Sequence, residues 1–170
     1  MHVMDLSIAP VLFCEKGTLK NLLEKYSYEF SQYDNRGVDD SGLHGYSNLD
    51  LYWTEMGRHA FFIKASNKLA GFTMVHNCPI ANLKTDYTMA EFFVIHKYRN
   101  MGVGAFAAKS TFDKFRGQWG LMYHPKNFIS KNFWNKVVYE YTHGKYLLVD
   151  SNSDAKYADG TVSEILVFSS

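Results

Sequence analysis

An apolar strand that runs into a glycine-rich turn lies just past the middle of this chain. Residues 91–95 read Glu-Phe-Phe-Val-Ile, and the turn after them carries Arg99, Gly102 and Gly104 before an apolar helix begins. Glycine lets a backbone approach a ligand closely and adopt turn angles that other residues resist. The first turn of a helix leaves several N–H groups unpaired at the positive end of the helix dipole. The sequence therefore predicts an anion site here, and above all a pyrophosphate site.

The bulk composition indicates one ordinary domain. The chain has 170 residues, 46% of them hydrophobic and 16% aromatic, which is enough for a core. No flexible linker divides the sequence, so we treat residues 1–170 as a single domain. The net charge of +1 argues against a general binder of nucleic acid or of membrane surfaces. Cys14 and Cys78 have no disulfide or metal-binding pattern, and no signal peptide or membrane span is evident, so we expect a cytoplasmic protein.

The periodicity of apolar residues predicts a mixed α/β sheet. Helices are expected at 19–33, with Thr18 as the cap, and at 50–56, 102–115 and 128–138. Strands are expected at 6–13, 60–65, 69–76, 85–95, 119–123, 145–150 and 164–169. Hairpins combined with crossover helices favour a mostly antiparallel sheet with helices around it. Pro10 predicts an edge position for the first strand, and the unbroken apolar run at 92–95 predicts a central one for its strand.

Two common phosphate-binding patterns fit the glycine turn poorly. A Walker loop needs Gly-Lys-Ser/Thr, whereas Gly104 is followed by Ala105 and Phe106. The dinucleotide pattern is formally matched by Gly102-x-Gly104-x-x-Ala107. That pattern also needs an acidic residue about 20 positions further on. Neither Asp nor Glu occurs between residues 114 and 139, so an NAD(P)-dependent oxidoreductase ranks as a distant alternative.

A third pattern fits the whole layout. Val94 lies five residues ahead of an Arg-x-x-Gly-x-Gly segment at 99–104, after an apolar strand. On the next predicted helix, Asn127, Ser130 and Trp134 have the spacing Asn-x-x-Ser-x-x-x-Trp. The first segment resembles motif A of the GNAT acetyltransferase superfamily, and the second resembles its Asn-x-x-Ala-x-x-x-Tyr signature. The order of elements supports the resemblance over roughly residues 5–145.

This resemblance implies a GNAT-like acyl-CoA N-acyltransferase fold and acetyl-CoA as the cofactor. The sheet would then be splayed between the motif A strand and the strand at 119–123, because the pantetheine arm has to enter there. The pyrophosphate would bind the N–H groups of residues 101–105. The residues that the resemblance assigns to the coenzyme are Phe93, Val94, Ile95, Arg99, Asn100, Met101, Gly102, Val103, Gly104, Ala105, Asn127 and Trp134.

Acetyl transfer to an amine needs a base, an oxyanion donor and a proton for the departing thiolate. Glu91 is the expected base, because an acid that enters an apolar strand has its pKa raised by desolvation. The Val94 N–H is the expected oxyanion donor. Trp134 stands where the superfamily often has tyrosine, and an indole is no useful proton source. Either Tyr139 or Tyr141 acts instead, or the thiolate leaves without help.

Competing interpretations of these residues remain. Glu91 fits an exposed strand carboxylate about as well as it fits a base. His96 and His76 are the next candidates for the base, and Asn127 could simply cap its helix. The seven histidines show no metal-binding spacing, so no metal site is expected.

The acceptor pocket is expected on the first helices and their loop, which combine aromatic rings with carboxylates that suit a cationic amine. Its expected residues are Tyr26, Tyr28, Glu29, Tyr33, Asp34 and the run 46–53. The sequence thus predicts an acetyl-CoA-dependent N-acetyltransferase that acts by direct attack in a ternary complex. The acceptor would be a small-molecule or peptide amine, and homodimerisation stays open. The alternative is a non-catalytic sensor or scaffold module that binds CoA or acyl-CoA.

Overall fold

A computed structural model of the chain describes residues 4–150 and 155–170. The described residues form seven strands, four α-helices and two short 3-10 helices. The strands are β1 (Leu6–Pro10), β2 (Arg58–Ala65), β3 (Lys68–His76), β4 (Tyr87–Val94), β5 (Gln118–Tyr123), β6 (Tyr146–Asp150) and β7 (Glu164–Ser169). The helices are α1 (Lys16–Asp34), α2 (Leu51–Thr54), α3 (Val103–Lys114) and α4 (Phe128–Thr142).

All seven strands form one sheet in the order β1-β2-β3-β4-β5-β7-β6. Only the β4–β5 pair is parallel, and the other five pairs are antiparallel. The predicted mixed and mostly antiparallel α/β sheet is confirmed. So are the edge position of β1, which ends at Pro10, and the central position of β4.

Helices cover both faces of the sheet. One face packs against α1 and α2 through a buried cluster that includes Leu19, Leu23, Phe72 and Phe93. The opposite face packs against α3 and α4 through clusters around Phe112, Trp119 and Val103. We call these the α1 face and the α3 face.

A bulge in β4 sets which face each of its side chains occupies. Met74 of β3 pairs with Glu91, while its neighbour Val75 pairs with Met89, so Ala90 is an extra residue in the ladder. Met89 packs in the α3-face core, whereas Ala90 packs against the α1-face cluster. Glu91 also lies on the α1 face, because it contacts Tyr46 there. After the bulge the alternation resumes, with Phe92 and Val94 on the α3 face and Phe93 on the α1 face.

The parallel pair opens after three residues. Residues 87–89 of β4 pair with residues 119–121 of β5, and beyond them no pairing joins the two strands. The rest of β4, residues 90–94, therefore has one edge free of strand partners. The predicted splay between these two strands is present, and the bulge at Ala90 lies at the point where it begins.

Several local predictions need correction. Helix α1 begins at Lys16 and not after Thr18, so Thr18 lies inside the helix. The apolar pattern of residues 128–138 predicts that Ile129 faces inward on α4, but its side chain is 75% exposed, and Trp134, Val137 and Val138 form the buried stripe of that helix. The polar residues 151–160 predict a loop, and residues 151–154 of it lie outside the described residues.

Candidate functional site

The turn between β4 and α3 has the backbone that the glycine pattern predicts. Asn100 and Gly102 both adopt left-handed conformations, with φ of 60° and 78°. Gly102 precedes the helix, and its carbonyl accepts the first intrahelical bond, from Phe106 N at 3.0 Å. The amides of residues 103–105 therefore have no carbonyl partner within α3. They lie at the positive end of the helix dipole beside an exposed turn, which is the arrangement that binds anions.

The two glycines of this turn serve different purposes. A Cβ at Gly102 would meet nothing within 4 Å, so only its backbone conformation requires glycine there. A Cβ at Gly104 would lie 3.1 Å from the Phe133 ring and 3.6 Å from the Val94 side chain. Phe133 in turn stacks on Phe92, with ring centroids 5.6 Å apart. Gly104 therefore makes room for the aromatic side chains of α4 and β4 that pack next to the open gap.

The Arg99 side chain connects the end of β4 to helix α1. Its Nε donates to the Val94 carbonyl at 2.7 Å, and its two terminal nitrogens donate to the Glu29 carboxylate at 2.6 and 2.8 Å. These hydrogen bonds to Arg99 lower the pKa of Glu29, against the raising effect of burial. Ile95 N bonds to Ala70 of β3, so Val94, one residue earlier, directs its N–H and C=O toward the gap.

Glu91 is a half-buried carboxylate surrounded by tyrosines on the α1 face. The Tyr46 hydroxyl donates to Oε1 at 3.2 Å, and the Tyr26 hydroxyl also bonds to this carboxylate. Burial raises the pKa of Glu91 to about 6, although the two hydroxyls partly offset that rise. Burial, and then Glu91 itself, raise the pKa of Tyr26 and of Tyr46. These phenols therefore stay neutral donors around the one acid.

A set of rings continues the α1 face from Glu91 toward the end of β5. Phe30 and Tyr33 come from α1, His124 follows β5, and Tyr157 lies in the segment between β6 and β7. Tyr157 is 4.7 Å from the His124 ring and 5.5 Å from Phe30, between centroids. Burial and then the negative charge of Glu91 raise the pKa of Tyr157, which places the phenol near the acid. We call Tyr26, Phe30, Tyr33, His124 and Tyr157 the ring set.

Sequence reasoning missed His124 and Tyr157. His124 has a usable signal, because it directly follows a parallel strand, and ligands bind at the carboxyl ends of such strands. Tyr157 has no local signal, because only the tertiary fold brings residue 157 to residues 30 and 124.

Solved structures with the same architecture include several acetyltransferases. An acetyltransferase from Thermus thermophilus superposes with a TM-score of 0.69 at 16% identity, over 100% of each chain. The spermidine N-acetyltransferase of Vibrio cholerae, solved with CoA and spermine, gives 0.66 at 9% identity over 96% of this chain and 95% of that one. The PaiA N-acetyltransferase of Thermoplasma acidophilum, solved with coenzyme A, gives 0.62 at 11% identity over 98% and 100%.

This chain has the GNAT acetyltransferase fold. No protein-family model and no curated protein sequence matches it, so the likeness lies in the structure. The GNAT fold agrees with the resemblance that motif A suggests, and the start of α3 packs beside Val94, at the free edge of β4.

The residues of the second GNAT motif have structural roles on α4. The Asn127 side chain accepts a bond from Ser130 N at 3.0 Å and so caps the helix. Trp134 is 5% exposed and packs edge-on against Phe92, with centroids 4.9 Å apart. Trp134 therefore belongs to the core that lines the α3 face of the gap.

Tyr139, the expected proton donor, does not lie at the gap. Its side chain is 60% exposed, and its ring is the nearest neighbour of Gly144. Gly144 lies beside Gln118, at the start of β5, whereas the gap opens at the end of that strand. Because a helix rises 1.5 Å per residue, Tyr139 is also about 18 Å along α4 from Asn127. Tyr141 donates instead to Asp113 of α3, at 2.8 Å.

The two histidines that were the next candidates for the base contact residues other than Glu91. The exposed His96 approaches Glu29 at 3.6 Å, and His76 accepts a bond from Cys78 N at 3.2 Å. In the described part of the chain, no three His, Cys, Asp or Glu residues are placed to hold a metal ion. Across residues 4–150 and 155–170, no helix is both long and apolar enough to span a bilayer.

Proposed function

We propose that this chain is an N-acetyltransferase that transfers the acetyl group of acetyl-CoA to a primary amine by direct attack in a ternary complex. One observation carries the proposal. The gap between β4 and β5 has a helix N-terminus on one side and the half-buried carboxylate of Glu91 on its α1 face. This arrangement supports a phosphate site and a base around a single opening.

The residues present fit acetyl-CoA. The amides of residues 101–105 would hold the pyrophosphate, and the strand edge at 93–95 would bond the pantetheine arm. Arg99 and Asn100 would shape this loop through their backbone, since the Arg99 guanidinium is already engaged by Glu29. Trp134 and the capped start of α4 at Asn127 would form the opposite wall.

When bound, acetyl-CoA supplies the reactive thioester. Glu91 would take the proton from the acceptor ammonium, directly or through a water, because its raised pKa lies close to neutral pH. The Val94 N–H would hold the carbonyl oxygen of the thioester, since this residue faces the gap and Arg99 fixes its carbonyl. With Tyr139 and Tyr141 directed elsewhere, the thiolate would leave without a tyrosine acid.

The test is thermal stabilisation of the full chain by acetyl-CoA, CoA and NAD in parallel, followed by thiol release with pools of amines. We expect both coenzyme A forms to raise the melting temperature and NAD to leave it unchanged. Thiol release above the rate without amine is the expected result. Stabilisation by NAD alone, or no stabilisation at all, would refute coenzyme A binding.

A sensor or scaffold that binds acyl-CoA is the second candidate. The buried Trp134, at the position where a proton-donating tyrosine is common, favours it. Stabilisation by acetyl-CoA without thiol release, for every amine offered, would identify this second function.

A further inference from the structure

The Glu91 carboxylate has no cationic partner within the described protein. Its bonding partners are the hydroxyls of Tyr26 and Tyr46, and none of the ion pairs of the described residues includes it. Arg36 acts on it only electrostatically and as the smallest influence on its pKa. An ionised carboxylate in this position is an open site for one positive charge.

The other carboxylates of the neighbouring elements are already compensated. Those of α1 and of the 155–163 segment each bond a basic side chain or backbone amides of this same chain. The pairs are Glu24 with the amides of His44 and Gly45, Glu29 with Arg99, Asp34 with Arg36, and Asp159 with Lys126 and Thr161. A second ammonium near Glu91 would therefore find no uncompensated carboxylate on these elements and would have to displace an existing partner to form an ion pair.

The surface that continues from Glu91 is aromatic. Within the ring set, Phe30 lies 6.0 Å from Tyr26, 5.9 Å from Tyr33 and 5.5 Å from Tyr157, between centroids. His124 is buried, whereas the other four rings are partly exposed, so they present faces or edges on which another flat apolar group can stack. The site thus offers one charge next to a partly exposed group of rings.

Resting on the proposed function, we propose that the acceptor is a monocationic amine on an aromatic or similarly flat body, and that polyamines are poor acceptors. The ammonium binds at Glu91, and the body of the acceptor stacks along the ring set. Acetylation removes the only charge of such an acceptor, so its product no longer pairs with Glu91 and leaves.

Matched amines test this proposal on the full chain with acetyl-CoA, with thiol release as the readout. Butylamine and 1,4-diaminobutane differ by one charge at equal length, and 2-phenylethylamine adds a ring to a short amine. We expect kcat/KM for 2-phenylethylamine to exceed that for butylamine about tenfold, and the diamine to fall about tenfold below butylamine. A diamine that equals or exceeds butylamine, or a ring that brings no gain, overturns the proposal and leaves the acetyltransferase activity standing. If acetyl-CoA stabilises the chain but no amine releases thiol, the proposal and the enzymatic function both fail.

A substitution in the ring set tests whether these side chains cause the preference for 2-phenylethylamine over butylamine. Phe30→Leu removes the central ring, so the ratio of kcat/KM for 2-phenylethylamine over butylamine should fall from about tenfold to about twofold. Gln32→Leu, an exposed position two residues further along α1, is the matched control and should keep the full ratio. An unchanged ratio in Phe30→Leu, with the variant folded by circular dichroism, would contradict the assignment.

Discussion

The proposed role of Glu91 as the base would come at a cost to stability. Its carboxylate is held among tyrosines and apolar residues without a cation, so burial disfavours the charged form that a base has to adopt. The folded pKa of about 6 lies above the ordinary value of 4.5 that applies to the unfolded chain. For an acid, this order means that the ionised form weakens the fold. The penalty grows as pH rises from 4.5 through 6 and is complete above 6.

Replacing Glu91 by a neutral residue should therefore make the fold more stable and the protein less active. Glu91→Gln is expected to raise the free energy of unfolding at pH 8 by about 1–2 kcal/mol and to lower kcat about 100-fold or more. Urea unfolding should show a clearly larger stability gain at pH 8 than at pH 5. Glu140→Gln is the control, because Glu140 is exposed, bonds Lys109 and has its pKa lowered, so no gain at pH 8 is expected.

The activity of the wild type should follow the same ionisation. We expect kcat/KM to fall about tenfold per pH unit below pH 6, because the protonated acid accepts no proton. A profile that stays flat down to pH 4.5 would exclude Glu91 as the base.

Replacing Tyr139, unlike replacing Glu91, is expected to have little effect on turnover. Because it is exposed beside Gly144, at the far end of β5 from the gap, Tyr139→Phe should leave kcat within about twofold of the wild type. A tenfold or larger drop at saturating acetyl-CoA, measured by thiol release, would restore this phenol as the acid.

At the scale of elements, the Glu29–Arg99–Val94 contacts join helix α1 to the end of β4. The carboxylate and guanidinium meet through two parallel bonds, which fixes the orientation of both groups. The third bond fixes the carbonyl of the residue whose amide faces the gap. A shift of α1 would therefore be transmitted to Val94.

Disrupting this connection should affect turnover more than coenzyme affinity. Glu29→Gln and Arg99→Gln are each expected to lower kcat about tenfold while changing the Kd for CoA less than threefold, and the double variant should be no worse than either single one. Kinetics and calorimetric titration with CoA check this. If Arg99→Gln alone weakens CoA binding more than tenfold, the guanidinium contacts the phosphates directly.

At this scale, the sequence predicts the features that neighbouring residues determine and misses those that depend on contacts between distant segments. The strand-turn-helix around Gly102 follows from neighbouring residues, and its left-handed φ of 78° agrees with the pattern. Strict alternation counted from Met89 would put Glu91 on the wrong face, because the bulge at Ala90, which no periodicity reveals, places Ala90 and Glu91 on the same face. Tyr157 comes from a distant segment, and Tyr139 was misplaced because the direction of α4 relative to the gap is a tertiary property.

At the scale of the molecule, the sheet consists of two parts that meet at a short seam. Strands β1 to β4 form one part and β5, β7 and β6 the other, and only three residue pairs between β4 and β5 join them. A ligand that bonds the free edge of β4 and also contacts the start of α4, the helix that packs on β6 and β7, would bridge this seam. Binding of CoA should then protect backbone amides in both parts together.

Hydrogen exchange with and without CoA measures this effect. Slower exchange is expected at residues 90–95 and 101–105, at the end of β5 and at the start of α4, with β1 and β6 unchanged as internal controls. Protection that is confined to the edge strands β1 or β6 would place the ligand elsewhere.

The bulge in β4 has one more consequence, for deletions. Without Ala90, Met89 and Glu91 would be adjacent and would still point to opposite sides, as they do now. Every side chain of the strand would keep its partners, and only the local bend would disappear. A single-codon deletion there would thus yield a protein that still folds but in which β4 and β5 pair along more of their length, so that the proposed entry for the coenzyme is closed.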